Sequence, residues 1–201
     1  MNEERRQQAR EFLQPGEHLI AVCSHDLGPG VPTPPESMLA PPEPAGLQQR
    51  IEARLSRPLR HLAKPRALDP RRPRPAGAAD PSGRTSDATD AKGMEGGWQS
   101  SAGDFVISRA NVRGPLACVL ALTDRRWFAL GDVSPLWHTT PVMKQYWEVP
   151  RSAVAAVRAN PGGAAQFGRM DIEFTDGSWV ALLATVPAHA MPFAAASARY
   201  R

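Results

Sequence analysis

Thirteen of the chain's 21 prolines fall between Pro29 and Pro81, and that concentration restricts the possible folds more than any other feature. Each proline removes a backbone donor and fixes φ, so neither a long helix nor a central strand runs through such a stretch. A continuous hydrophobic core must therefore be assembled from what lies on either side. Before the prolines, Asn2 is placed to cap a helix from Glu3 to about Leu13 that stops at Pro15-Gly16, and the apolar run Glu17 to Ser24 is suited to a strand. After them, from Trp98 onward, the pattern is that of strands. Asp104 to Arg109 is one candidate, and Ala117 to Leu122 joins Arg126 to Leu130 through Thr123-Asp124-Arg125 as a hairpin. Gln145 to Val149 and Val154 to Ala159 are the next two. The clearest signal is Met170, Ile172 and Phe174 alternating with Asp171, Glu173 and Thr175, then Asp176-Gly177, then Ser178 to Ala184. An alanine-rich tail from Pro187 to Tyr200 favours helix despite Pro192 and is suited to cap a small barrel.

The expected class is therefore mainly β with terminal helices, in three parts. Residues 1–27 supply the N-terminal helix and first strand, 28–97 form a long proline- and arginine-rich insertion, and 98–201 supply the rest of the barrel and the C-terminal helix. Inside the insertion, Leu47, Ile51, Leu55, Leu59 and Leu62 recur every three or four residues, with Arg50, Arg54, Arg57 and His61 at the positions between. That spacing predicts a basic amphipathic helix over about 46–63, weakened by Pro58, whose leucine stripe packs on the domain or docks to a membrane or partner. Residues 64–97 have too little apolar content to offset the entropy of ordering, and disorder is expected there.

Charge is just as uneven. The net charge is +4, yet Arg50 to Arg84 alone holds ten Lys or Arg against three acids. Attraction to an anionic surface is thus expected to be local, and its candidate contacts are Arg50, Arg54, Arg57, Arg60, Lys64, Arg66, Arg71, Arg72 and Arg74. Apolar runs are broken well short of the ~20 residues of a membrane span, and Met1 to Arg10 lacks the apolar core of a secretory signal. The expected compartment is the cytoplasm, with the basic arm at the inner membrane face. Cys23 and Cys118 lie in apolar runs and read as buried free thiols.

No set of residues makes a catalytic centre. Ser24-His25-Asp26 has the residue types of a triad, but three consecutive side chains diverge, and a polar turn ending a strand is the expectation. Cys23 and His25 have no second Cys/His pair to complete a zinc site and are expected to be exposed polar residues. Gly28-Pro29-Gly30 lacks the lysine and helix of a phosphate loop. Asp171 and Glu173 are expected on a solvated outer face. Trp127, Trp147 and Trp179 are expected in the core, and Trp137 in a loop, either packed over a barrel end or exposed. Accordingly no catalytic residue, cofactor, metal or small-molecule substrate is assigned.

Taken in order, Leu13-Gln14-Pro15-Gly16-Glu17, Leu120-Ala121-Leu122-Thr123-Asp124-Arg125-Arg126, Trp147-Glu148-Val149-Pro150 and Phe174-Thr175-Asp176-Gly177-Ser178 resemble bacterial pleckstrin-homology-like domains, especially actinobacterial ones. The resemblance covers 13–24 and 103–200. It implies a strongly bent antiparallel barrel or sandwich closed by a C-terminal helix. Many eukaryotic relatives of that fold bind phosphoinositides through a basic loop after the first strand. Here Ser24 to Pro29 carries no basic residue, and none follows until Arg50, so no lipid-binding residue carries over. The functional expectation is a non-enzymatic interaction module whose basic arm contacts an anionic membrane surface. A protein partner, held at a barrel edge or by the Pro/Arg segment, is the alternative, and salt-sensitive nucleic-acid binding the third.

Overall fold

The computed structural model describes residues 3–40, 92–112, 118–134, 141–160 and 167–200. It is mainly β: eight antiparallel strands in one sheet that does not close, with a C-terminal helix. The elements are α1 (Glu3–Arg10), β1 (Leu19–Leu27), β2 (Met94–Glu95), α2 (Ser101–Asn111), β3 (Cys118–Thr123), β4 (Arg126–Asp132), β5 (Met143–Pro150), β6 (Val154–Asn160), β7 (Arg169–Phe174), β8 (Trp179–Ala184) and α3 (Ala190–Arg199). The strand order is β5-β4-β3-β1-β8-β7-β6, and β2 adds to β8.

The alternating residues of β7 and β8 did what their pattern predicts. Met170, Ile172 and Phe174 are buried, as are Val180 and Leu182 opposite them, and Gly177 takes the positive φ of 82° that the turn needs. With Leu120, Leu122, Trp127 and Trp147 they form the main core on one side of the sheet. A second, smaller cluster of Val22, Val119, Ala121, Phe128 and Leu130 lies on the opposite face, where Ala9, Phe12 and Leu13 cover it. That second cluster explains why β3 is buried at every position, since both of its faces are packed.

Four expectations need correction. Asp104 to Arg109 is helical: Ser100 caps α2 by accepting from the Gly103 amide, and Ala102, Phe105 and Val106 give the buried face a helical spacing. The remaining free amides of its first turn are met by the β7–β8 turn, with Ser101 N–H donating to Asp176 at 2.7 Å and Ala102 N–H to the Ser178 hydroxyl at 3.1 Å. Ser24-His25-Asp26 does not end the strand. β1 continues to Leu27 because His25, Asp26 and Leu27 pair with Ala184, Leu183 and Leu182, and His25 is buried rather than exposed. Cys23 is buried too, as its apolar run predicts and against the exposed reading beside His25. Trp179 leaves the core for the outer face, half-buried, with the Arg169 guanidinium 5.8 Å from its ring centre. Asp171 and Glu173 are on that face but not freely solvated, for each is half-buried and paired with an arginine, Arg169 at 2.8 Å and Arg158 at 2.7 Å.

Smaller shifts follow from local chemistry. α1 ends at Arg10 rather than Leu13, and β1 begins at Leu19 because Glu17 is used elsewhere. Its buried carboxylate takes hydrogen bonds from the Gln14 amide, the Thr123 hydroxyl and the Arg126 guanidinium. Pro192 is tolerated because it lies in the first turn of α3, where its missing N–H has no intrahelical partner to lose. The strand over 118–123 is the predicted one shifted by one residue, and those over 126–132, 143–150 and 154–160 extend the predicted ones by one to three residues.

The predicted helix over 46–63 and most of 64–97 lie outside the described residues. The flanks are described and are held by the sheet and by α2. Gly28 N–H donates to Ala181, Ala181 N–H donates to Gly93, and Ala40 N–H donates to the Asn111 side chain. Met94, inside the stretch expected to be disordered, is buried in β2. Its apolar side chain and one strand pairing hold it there.

Candidate binding groove

Among the described residues β6 ends the strand order on one side, with no neighbouring strand on its outer edge. Its sequence, Val-Ala-Ala-Val-Arg-Ala-Asn, is rich in small side chains. The register with β7 slips between Val154 and Ala156, which puts Ala155 in a bulge. α3 packs alongside, and its last turns also present small residues, Ser197 and Ala198. Two elements with short side chains cannot fill the space between them. A groove of about 720 Å³ remains, floored by Val154 to Val157 and ended by Tyr200.

Its rim is basic. Arg125, from the β3–β4 turn, and Arg151, from the single 3-10 turn Arg151–Ala153 that joins β5 to β6, are brought together because Arg126 pairs with Pro150 and the Arg151 amide donates to the Arg125 carbonyl at 2.9 Å. The Arg125 guanidinium donates to the Pro15 and Gly16 carbonyls at 3.4 and 3.2 Å. These acceptors are neutral, so its charge is oriented but not cancelled. Arg151 stacks its guanidinium 6.0 Å from the centre of the half-exposed Tyr200 ring. Arg158, further along β6, is neutralised by Glu173. No carboxylate lines the groove among the described residues. The arrangement offers an extended backbone edge, a small-residue floor and two cationic groups at one end, which suits an extended chain bearing negative charge.

A second polar cluster lies under α2 at the far end of the strands. His25 on β1 and Cys118 on β3 are cross-strand neighbours, the Tyr146 hydroxyl of β5 is 3.4 Å from His25 Nε2, and Phe105 of α2 lies 6.0 Å from the imidazole. Arg109 of α2 reaches Asp26 at 3.3 Å. Burial, aided by the Arg109 charge, lowers the His25 pKa to about 3. Burial also raises the Cys23 and Cys118 thiols to about 12 and about 11. At neutral pH the imidazole is neutral and both thiols are protonated, so the cluster has no thiolate to offer as a nucleophile. Both cysteines are free, as their apolar setting predicts.

None of the sequence-predicted contact residues, Arg50, Arg54, Arg57, Arg60, Lys64, Arg66, Arg71, Arg72 and Arg74, is within the described residues, and Trp137 is outside them as well. The residues that do converge, Arg125, Arg151 and Tyr200, are scattered along the chain and carried no local signal beyond turn chemistry. Trp127 and Trp147 fill the core as expected. Among the described residues no helix is long and apolar enough to cross a membrane, and no group of three or more His, Cys, Asp or Glu side chains could hold a metal.

Compared with known families and with curated proteins, the chain matches no family model and no curated protein.

Proposed function

We propose that the chain is a non-enzymatic interaction module of the pleckstrin-homology-like kind, and that it takes an extended, acidic segment of a partner protein along the outer edge of β6. The observation that carries this reading is the groove itself: a bulged edge strand, small facing residues on α3, and the guanidinium groups of Arg125 and Arg151 at one end with no carboxylate among the lining residues. The strand order with a C-terminal helix packed on β6, β1 and β7 supports the fold half of the reading. Addition of a strand would give main-chain hydrogen bonds, which are sequence-tolerant, while the arginines would select for charge.

The test is an NMR titration of the full chain with an eight-residue peptide alternating valine and glutamate, and with its valine–lysine counterpart. The acidic peptide is expected to shift the amides of 154–158, and Arg125→Ser together with Arg151→Ser to weaken binding about tenfold, which is ~1.4 kcal/mol for two rim charges worth up to about 1 kcal/mol each. Equal binding of the lysine peptide, or amide shifts confined to other strands, would overturn the proposal.

A further inference from the structure

At the other end of β6 the surface changes character. Ala159, Phe167, Val186, Pro187 and Met191 line an apolar cleft of about 500 Å³. Phe167, Val186 and Met191 are 68%, 46% and 58% exposed, three of the six large hydrophobic side chains left exposed among the described residues. Single exposed apolar residues are ordinary, but three around one concavity mark a surface that something covers.

The chain supplies a candidate. Residues 41–91 leave the described fold at Ala40 and return at Lys92. The return point is at the cleft, because Arg169, which lines it, donates to the Lys92 carbonyl at 3.0 Å. Within that span the only sustained apolar pattern is Leu47, Ile51, Leu55, Leu59 and Leu62, spaced every three or four residues. Such spacing puts five apolar side chains on one face of a helix. Twenty-nine residues separate Leu62 from Lys92, a reach of up to ~100 Å, far more than a domain of this size requires. Apolar cleft and apolar stripe are thus tethered together by the same chain, at a high effective concentration that a separate partner lacks.

We infer that the apolar cleft of Phe167, Val186 and Met191 is the docking site of the chain's own segment 47–62. The inference does not depend on the reading of the β6 groove.

The experiment introduces a benzophenone amino acid at Met191 in the full chain, irradiates it, and maps the adducts by mass spectrometry, alone and with vesicles of equal phosphatidylcholine and phosphatidylglycerol. The expected product is an adduct within one chain, to a peptide inside 47–62, unchanged by vesicles. Adducts to a second copy, to lipid in preference to 47–62, or to no single site would each overturn the inference. A separate readout is the fluorescence of anilinonaphthalene sulfonate. Leu55→Asp with Leu59→Asp should uncover the cleft and raise dye fluorescence severalfold, and adding Phe167→Ser and Met191→Gln should remove the rise. No rise on uncovering, with the thermal transition of the sheet unchanged, would also overturn it.

Discussion

Lowering the pH from 7.5 to 5.0 should destabilise the protein by about 2 kcal/mol, and His25 should account for nearly all of it. The imidazole is completely enclosed by β1, β3, β5 and α2, with Phe105, Cys118 and Tyr146 around it and the Arg109 charge nearby. A backbone hydrogen bond at Cys23 favours the charged form, but burial and the Arg109 charge outweigh it. The unfolded chain takes up a proton near pH 6.5, whereas the folded one resists until about 3. Between those values the unfolded state binds more protons, so stability falls as pH falls, by 1.36 kcal/mol per pH unit once the unfolded imidazole is charged. At pH 5.0 this amounts to about 2 kcal/mol. The carboxyls of Glu17 and Asp132, held below their usual range by hydrogen bonds that outweigh burial, contribute in the same direction only below about pH 4.5. The window from 7.5 to 5.0 therefore isolates the histidine. Urea unfolding of wild type and His25→Leu at both pH values is the assay, with the imidazole ¹³C shift followed by NMR as a check. The wild type should lose about 2 kcal/mol and the variant almost nothing. An equal loss in both, or an imidazole that titrates near pH 6 in the folded protein, would refute the argument.

Two further outcomes are expected. Glu17→Ala should cost about 3 kcal/mol in urea unfolding, because it strips the enclosed Arg126 guanidinium of its carboxylate at 3.0 Å, while Glu17→Gln should cost less by keeping part of the hydrogen bonding. A loss under about 1 kcal/mol for Glu17→Ala would show that Phe12, Gln145 and Glu148 hold Arg126 without it. Replacing residues 64–91 by a short flexible linker should change the melting temperature little, since loop closure costs only ~0.6 kcal/mol per doubling of length. Extending the replacement to 97 should lower it clearly, because the buried Met94 and the Gly93 carbonyl that accepts from Ala181 go with it. Equal melting temperatures for the two replacements would show that β2 adds nothing.

Where local pattern and tertiary environment agree, the fold was legible. Ile172 and Phe174 alternate with acids, a glycine stands where φ must be positive, and the hairpin forms as the pattern predicts. α2 was missed because its eleven residues carry only one short apolar face and its start is fixed from afar. Asp176 and Ser178 accept from its first amides across some 75 residues of sequence, and no window around Ser100 contains them. His25 was misplaced for a related reason. A histidine among polar neighbours reads as a turn, yet the backbone pairing of β1 with both β3 and β8 carries it into the interior. The groove was illegible because it depends on pairing Arg126 with Pro150 and on the Arg151 amide bonding the Arg125 carbonyl, which together bring Arg125 and Arg151 to the same place.

The two ends of β6 differ in polarity, and α3 ties them together. Its first residues, Ala190 and Met191, border the apolar cleft, and its last, Ser197 and Ala198, border the basic groove. Ten residues of helix span ~15 Å, so the two surfaces are held at a fixed separation by one rigid element. The helix also sets the charge logic of the groove. A helix C-terminus carries the equivalent of about half a negative charge, which by itself would repel an acidic ligand. Arg125 and Arg151 each bring a full positive charge to that same end, and the carbonyls of Pro15 and Gly16 orient Arg125 without neutralising it. The arginines therefore outweigh the helix end and reverse the sign of the local field. An acidic segment should engage their guanidinium groups, while its backbone follows β6. Arg199, in the last turn of the helix, adds a further positive charge there. Removing both groove arginines should therefore weaken binding of the acidic peptide and flatten its salt dependence without reversing the preference, whereas loss of a merely steric contact would leave the salt dependence unchanged.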